Sequence, residues 1–405
     1  MTATESAAEP HPVRFWAAAD LPGLAFDPFM AERVGERTIS RVRLPHGEGH
    51  AWLVTRYEDV KFVTSDPRFS RQRVVGRSVT RLAPHVIPLD DAVGFADPPE
   101  HTRLRKAAAR SFTPRVLDRL RPRAQRTADR LLDAMEEQGP PADLMTHLHD
   151  PLPLAVISDL MGVPETDRPR MAQWTTVLLS AAYGREVSER AKTEMAAYFT
   201  DLLTRHGELP GDSLAGELAE SVTAGVVSLD EAVGIAVLVQ ASGAHAVRNN
   251  SGNMVYALLT HPHHLARLRA EPTLLPQAVE ELLRFVPHRN AVGIARIATE
   301  DVEVGGVTIR AGEAVHASYL SANRDPAVFD HPDELDFDRG PNPHLSFGHG
   351  PHFCLGSNLA RMESEIILSS LITRFPRLRL AVPEEQVTWQ RSALIRGPET
   401  LPVTW

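Results

Sequence analysis

The stretch Phe347-Gly348-His349-Gly350-Pro351-His352-Phe353-Cys354-Leu355-Gly356 constrains this chain more than any other. It holds the only cysteine in 405 residues. Glycines and a proline bend the backbone around that cysteine, and a helical pattern follows at 356–375. Glycine permits positive φ and the close backbone approach that a tight loop beneath a flat ligand needs. A sulfur beside a helix N-terminus meets unpaired N–H groups and the positive end of the dipole, which favour thiolate over thiol. A thiolate held there is a suitable axial ligand for haem iron. Other uses stay open. A lone cysteine is commonly a small buried hydrophobe. His349, His352 and Cys354 could bind zinc, though a fourth ligand is not evident. Cys354 with His352 as base could act as a hydrolase nucleophile, but two residues apart on a tight loop is poor geometry for that pair.

The rest of the chain can supply a large core around such a site. Its 43% hydrophobic content is ordinary for a globular protein, and its length suffices for one large domain or several smaller ones. One cysteine allows no intrachain disulfide and suits a reducing compartment. The N-terminal residues lack the apolar core of a signal peptide, and no run of about 18 apolar residues could span a bilayer. A cytoplasmic protein without a membrane partner is expected. The net charge of −9 argues against general nucleic-acid binding. Residues 1–25, rich in Ala, Glu and Pro, are expected to be a flexible lead-in to a single catalytic domain over 26–405.

Alternating patterns predict strands at 39–44 and 50–55 around a turn at 45–49. A short helix is predicted at 57–65. Residues 72–96 read as an irregular functional loop, with Arg71, Arg73, Arg77 and Arg81 spaced along it. Asp97-Pro98-Pro99 opens a helix that sets His101 and Arg105 on one face. That pair suits a carboxylate, or is simply solvated. Arg103, Lys106, Arg110 and Arg115 make the same segment basic. Helical patterns fill 115–205, with breaks at 139–141 and 162–164.

Ser228-Leu229-Asp230-Glu231 reads as a capping box that opens a helix running to Thr260, just before His261-Pro262. Its length is roughly 48 Å at about 1.5 Å per residue. It is apolar all round at 232–241, so it is expected to be buried. Its middle, Ser242-Gly243-Ala244-His245-Ala246-Val247, leads into the polar residues Arg248, Asn249, Asn250, Ser251 and Asn253. Polar groups in a buried helix need partners. Asn250, one turn beyond Ala246, is expected to face a pocket or to lie on a solvated stripe. Alternation at 291–309, with Gly305-Gly306 as a hairpin turn, adds further strands. The expected fold is mainly α with a small β region.

The cysteine loop resembles the haem-binding loop of the cytochrome P450 family, Phe-Gly-x-Gly-x-His-x-Cys-x-Gly, at every fixed position. The resemblance extends over nearly the whole chain. It implies the cytochrome P450 fold, with haem b (iron protoporphyrin IX) between the long helix and the cysteine loop. Cys354 would be the iron ligand, and His101, Arg105, Arg296 and His352 would hold the propionates. Glu281 and Arg284 would form a buried structural pair, bonded to Arg339 or to backbone carbonyls. The loop at 72–96 would cover the substrate. The hairpin around Arg396 would reach the pocket, so that Arg396, Asn250 and Val247 are candidate substrate contacts. The basic segment would dock an acidic ferredoxin, helped by electrostatic steering.

The chain departs from the family in the middle of the long helix. The family shows Ala/Gly-Gly-x-acid-Thr-Thr there, where the alcohol hydrogen-bonds bound oxygen and the acid feeds a proton relay. Here Gly243 is kept, the acid is His245, and the alcohol is Ala246. Histidine can shuttle protons near neutral pH; alanine offers no hydrogen bond. Gly243, His245 and Ala246 are the candidate catalytic positions. The implied activity is oxidation of a small natural product in secondary metabolism, using O2 and electrons from a ferredoxin and its reductase. The altered relay adds weight to oxidative C–C or C–N coupling of an aromatic substrate or cyclic dipeptide, beside hydroxylation. The alternative is a haem-binding sensor or carrier without oxygen activation. The basic segment speaks against it, because a sensor needs no electron donor.

Overall fold

Ser228 and Glu231 close the capping box read from the sequence. Glu231 N donates to Ser228 Oγ at 3.1 Å, and Ser228 N donates to Glu231 Oε2 at 2.8 Å. The helix they open runs Leu229–Thr260, as predicted. The structure is a computed structural model describing residues 11–18, 20–83, 93–180, 182–205, 212–287 and 292–405. Parts of the expected lead-in, of the 72–96 loop and of the 291–309 segment lie outside the described residues.

In chain order the strands are β1 (Val13–Phe15), β2 (Ser40–Arg43), β3 (Ala51–Val54), β4 (Phe69–Ser70), β5 (Ala142–Asp143), β6 (Arg296–Ala298), β7 (Val302–Val304), β8 (Val307–Ile309), β9 (Ala314–Ala317), β10 (Arg379–Leu380) and β11 (Pro402–Thr404). The helices begin with α1 (Pro28–Glu36), α2 (Tyr57–Ser65), α3 (Glu100–Ala109), α4 (Pro114–Gln138), α5 (Pro151–Met161), α6 (Arg168–Leu178) and α7 (Arg185–Thr204). They continue with α8 (Leu214–Thr223), α9 (Leu229–Thr260), α10 (Pro262–Ala270), α11 (Leu275–Phe285), α12 (Tyr319–Ala322) and α13 (Ser357–Arg374). The fold is mainly helical with small sheets, as expected.

The main sheet runs β1-β2-β3-β9-β6-β4, so it joins the N-terminal strands to those after residue 292. Trp52 pairs with Val315 in the parallel β3–β9 ladder, and Arg296 pairs with Val315 from the other side. That register fixes where the Arg296 backbone stands. The expected lead-in is corrected over 13–16. Val13–Phe15 pairs in parallel with β2, and Trp16 is buried, stacked on Phe29 and donating its indole N–H to Asp27 Oδ2 at 3.0 Å. A buried indole that satisfies its N–H tethers a chain end firmly.

The helical body packs around α9. Packed on α5 and α13, α4 buries Leu117, Leu120, Ala124, Ala128, Leu132 and Met135, a stripe at helical spacing. Each fully buried leucine contributes about 1.5–3 kcal/mol. One core joins α3 to α11 and α13, so α9 and the segment carrying the cysteine are braced by a common interior. Among the described residues, no helix is long and apolar enough to cross a membrane.

Candidate active site

The cysteine loop is built by backbone geometry. Gly350 sits at φ +74°, and a Cβ there would lie 2.4 Å from the Thr64 carbonyl oxygen on α2. No other residue tolerates both conditions. Cys354 N donates to Phe347 O at 2.8 Å, which closes the loop, and α13 starts three residues later. The Cys354 side chain is exposed rather than packed, against the buried-hydrophobe reading. Among the described residues, no group of histidine, cysteine and acidic side chains could hold a metal ion by themselves, which removes the zinc reading.

The segment before the loop hangs on one buried network. Arg284 Nη2 donates to Glu281 Oε1 at 2.7 Å, and both side chains are buried. Glu281 also accepts from Arg339 Nε, Asn342 Nδ2 and the Asp336 backbone N–H. Arg284 donates onward to the carbonyls of Asn323, Pro332 and Glu334. The expected bonding of this pair to Arg339 and to backbone carbonyls is present. Its role is structural: it staples the meander at 330–343 that leads to Cys354.

His101, Arg105, Arg296 and His352 converge from α3, β6 and the loop. The rings of His101 and His352 lie 4.3 Å apart between centroids. Burial pushes His101 down to about 4, with Arg105 and Arg71 adding to the effect. Burial also pushes His352 far down, followed by Arg71, His101, Arg296 and Arg105. Arg105 is pushed down by burial, while Cys354 acts on it in the opposite sense, so this cluster and the sulfur share one region. Arg296 is 2% exposed, and its Nη2 has no hydrogen-bond partner. A buried guanidinium nitrogen left in that state costs free energy unless an anion meets it. Clustered cations with an orphaned donor fit the two carboxylates of a porphyrin. The sequence reading missed Arg71. It was taken as part of a loop, yet it is buried, donates to Gly94 O at 3.1 Å, and acts on both histidines. Its backbone N–H donates to Asp97 Oδ1 at 3.0 Å.

The middle of α9 divides into faces. Ser242 is exposed and Gly243, Ala246 and Asn250 are half-buried, whereas most of the helix around them is buried. Ser242, Ala246 and Asn250 recur at i, i+4 and i+8, so they share one face. Ala246 brings no polar group to it. Asn250 Oδ1 is buried without a partner, an acceptor waiting for a donor. His245 is 8% exposed and its Nδ1 has no partner. Burial, followed by Arg248, pushes its pKa down to about 4. At pH 7 this imidazole is therefore neutral.

The missing side chain of Gly243 faces α5, where a Cβ would lie 2.6 Å from Ile157 Cδ1. Gly243 is thus where α9 packs closely on α5. Val247, four residues on, is buried. Arg396 is 3% exposed and its guanidinium is already committed. It donates to Ala25 O at 2.7 Å, Leu21 O at 2.9 Å and Pro22 O at 2.8 Å, and also to Gly23 O. It clamps the N-terminal segment. Most of the polar run bonds neighbouring elements rather than solvent. Asn249 Nδ2 reaches Ile395 O at 2.6 Å, Asn253 Nδ2 reaches Arg396 O at 2.9 Å, and Arg248 Nη1 reaches Pro398 O at 3.1 Å. On the basic segment, Arg103 is neutralised by Glu100 and Glu231, while Lys106, Arg110 and Arg115 are exposed.

The cysteine loop, the arginines and histidines clustered beside it and the long crossing helix fit a haem-thiolate oxidoreductase. Comparison with known proteins agrees. The cytochrome P450 family model matches residues 243–400. Biflaviolin synthase of Streptomyces coelicolor is 50% identical over 404 residues, covering 100% of this chain and 99% of that one. Nocardicin C N-oxygenase of Nocardia uniformis is 47% identical, covering 97% and 98%. The crystal structure of a cytochrome P450mel with biaryl coupling reactivity superposes with a TM-score of 0.94 at 46% identity, covering 97% and 100%. The chain belongs to the cytochrome P450 family. It is a monooxygenase-type oxidoreductase of secondary metabolite biosynthesis that binds haem b through its cysteine thiolate.

Proposed function

We propose that this enzyme joins two phenolic aromatic molecules by oxidative C–C coupling. One observation carries the reading: on the face of α9 where the family places an alcohol stands Ala246, and one turn on is the buried, unpartnered Asn250 Oδ1. A site lacking its own hydroxyl favours a substrate that brings one. A phenolic O–H can donate to Asn250 Oδ1 and hold the ring in place. The similarity to biflaviolin synthase and to a P450 with biaryl coupling reactivity points the same way.

Haem, when bound, would supply dioxygen activation. The chain's residues do the rest. Arg105, Arg296, His101 and His352, with Arg71 beside them, would hold the propionates, and Cys354 would ligate the iron. His245, neutral and next to Ala246, passes protons by exchanging tautomers. The balance is two Ar–H plus O2, two electrons and two protons, giving Ar–Ar and two waters. Each ring loses one C–H hydrogen, and both oxygen atoms are reduced to water. A ferredoxin and its reductase deliver the electrons in the cytoplasm. Exposed Lys106, Arg110 and Arg115, with Phe353 exposed beside Cys354, support an acidic docking partner.

Turnover of 1-naphthol with a surrogate ferredoxin, ferredoxin reductase, NADPH and air tests the reading, with cyclic dipeptides and a macrolide alongside. A naphthol dimer two hydrogens lighter than twice the monomer is the expected product. Products carrying one added oxygen and no dimer overturn it. The second reading is oxygen insertion, favoured by His245 as a proton path independent of the substrate; it is the outcome in which only oxygenated monomer forms.

A further inference from the structure

A row of arginines occupies one face of α4. At about 100° per residue, Arg115, Arg119, Arg123, Arg126 and Arg130 fall within a quarter of the helix circumference, opposite the buried Leu117, Ala124 and Met135. All of them are exposed. The row spans roughly 22 Å at about 1.5 Å per residue. Arg119 pairs with Asp212 at 3.2 Å, out in solvent. Among the described residues, Arg115, Arg123, Arg126 and Arg130 pair with no carboxylate.

This arrangement works against the helix that carries it. Arg115 with Arg119, Arg119 with Arg123, and Arg126 with Arg130 are like charges four apart, which repel. The first turn holds no acidic residue, and Arg115 stands there against the positive end of the dipole. A chain of net charge −9 thus concentrates positive charge along one edge at a cost to local stability.

The row is aimed at the cysteine loop. The short turn Arg110–Phe112 joins α3 to α4, and a Cβ on Gly356, at the end of that loop, would lie 3.7 Å from the Phe112 ring. From there α4 runs alongside α13, away from Cys354. Arg121 pairs with Glu365 at 2.7 Å, and Gln125 Nε2 donates to Ser370 Oγ at 3.0 Å. Arg115 is therefore the near end, next to exposed Lys106 and Arg110, and Arg130 is the far end.

The face suits an acidic protein better than other polyanions. The exposed large apolar side chains, such as Phe15, Tyr183 and Phe353, all lie off α4, so this face lacks what anchors a helix in a lipid surface. It has no aromatic ring to stack on bases, and the net charge repels nucleic acid.

We propose that the arginine row on α4 is a capture track for the acidic ferredoxin, drawing the donor onto this edge and guiding it to Lys106 and Arg110 beside the cysteine loop. The proposal rests on the ferredoxin reading and adds a surface outside the contact at that loop. Such charges raise the encounter rate, and salt removes their effect.

The test mixes holoenzyme with a reduced, acidic plant-type [2Fe–2S] ferredoxin in a stopped-flow instrument under carbon monoxide. One electron passes from the ferredoxin to ferric haem iron, and CO traps the product. The combined variant Arg123→Gln, Arg126→Gln, Arg130→Gln should lower the second-order rate constant about threefold to tenfold at low ionic strength. It should match the parent at about 0.5 M salt, where screening acts within a few ångström. Arg190→Gln, Arg310→Gln, Arg391→Gln removes the same charge from exposed positions off α4 and should match the parent throughout. The CO spectrum with dithionite checks that each variant keeps its haem site. A track variant as fast as the parent at low salt overturns the proposal. So does a slowing that persists at high salt, or an equal slowing in the second set. Lys106→Gln with Arg110→Gln separates the two readings. If it slows reduction and the track variant does not, the donor docks at α3 and the track alone is wrong. If neither slows it, the ferredoxin reading fails as well.

Discussion

His101 from α3 and His352 from the cysteine loop stand with ring centroids 4.3 Å apart, although they lie far apart in sequence. Burial keeps both neutral. They can therefore each donate one hydrogen bond to an anion while the arginines around them carry the charge.

Arg296 is the arginine whose loss should be felt most, because its Nη2 is buried without a protein partner. A hydrogen bond to a charged group contributes about 1.5–3 kcal/mol. Arg296→Leu should release haem to apomyoglobin roughly tenfold to a hundredfold faster than the parent. An unchanged transfer rate removes Arg296 from the propionate contacts.

His149 should make the protein acid-sensitive. Burial pulls its pKa down to about 3 in the folded protein, from the ordinary 6.5. Above pH 6.5 both states are neutral and the group contributes nothing. As pH falls through 6.5 the unfolded chain takes up the proton first, so stability drops until about pH 3. At pH 5 the loss is about 2 kcal/mol. Denaturant midpoints at pH 7 and pH 5 should converge in His149→Gln relative to the parent. An equal acid penalty in both proteins would show that His149 is not the group responsible.

Arg396 should prove to be a clamp. Arg396→Met strands the carbonyls of Leu21, Pro22 and Gly23, at a cost of about 3 kcal/mol. Hydrogen exchange should rise at 20–25 with KM for 1-naphthol unchanged. A large rise in KM without loss of stability would return Arg396 to the substrate.

Gly243 and Ile157 should be energetically coupled. Gly243→Ala forces a Cβ against Ile157 and should cost about 1–3 kcal/mol. Ile157→Val should relieve much of that cost, so the two changes are non-additive in a double-mutant cycle. Additive effects would mean that Gly243 serves another contact.

What the sequence disclosed was local. The capping box and the following His261-Pro262 bounded α9 at both ends, and the Gly-Pro turns bounded the cysteine loop, because each signal lies within a few residues of the feature it sets. The Glu281–Arg284 pair is not distinctive as a local signal; the family resemblance pointed to it. Direction in space was not legible. Whether the absent side chain of Gly243 faces α5 or the reactive face depends on how two helices cross. Arg396 and Arg71 are long side chains whose targets come from other segments, the carbonyls at 21–25 and the carbonyl of Gly94. The polar run after Val247 suggested water or a ligand, yet its main partners are backbone carbonyls of the C-terminal hairpin, which composition cannot show. β1 was hidden because it is short and exposed, and only its ladder with β2 makes it a strand.

Ligation of the iron by the Cys354 thiolate underlies every role assigned around the haem. The direct measurement is the absorption spectrum of the purified protein, reduced and exposed to carbon monoxide, beside Cys354→Ala prepared in the same way. The parent should show the strongly red-shifted Soret band of a thiolate-ligated haem, and the variant should lack it. A parent without that band, or a variant that keeps it, contradicts the assignment.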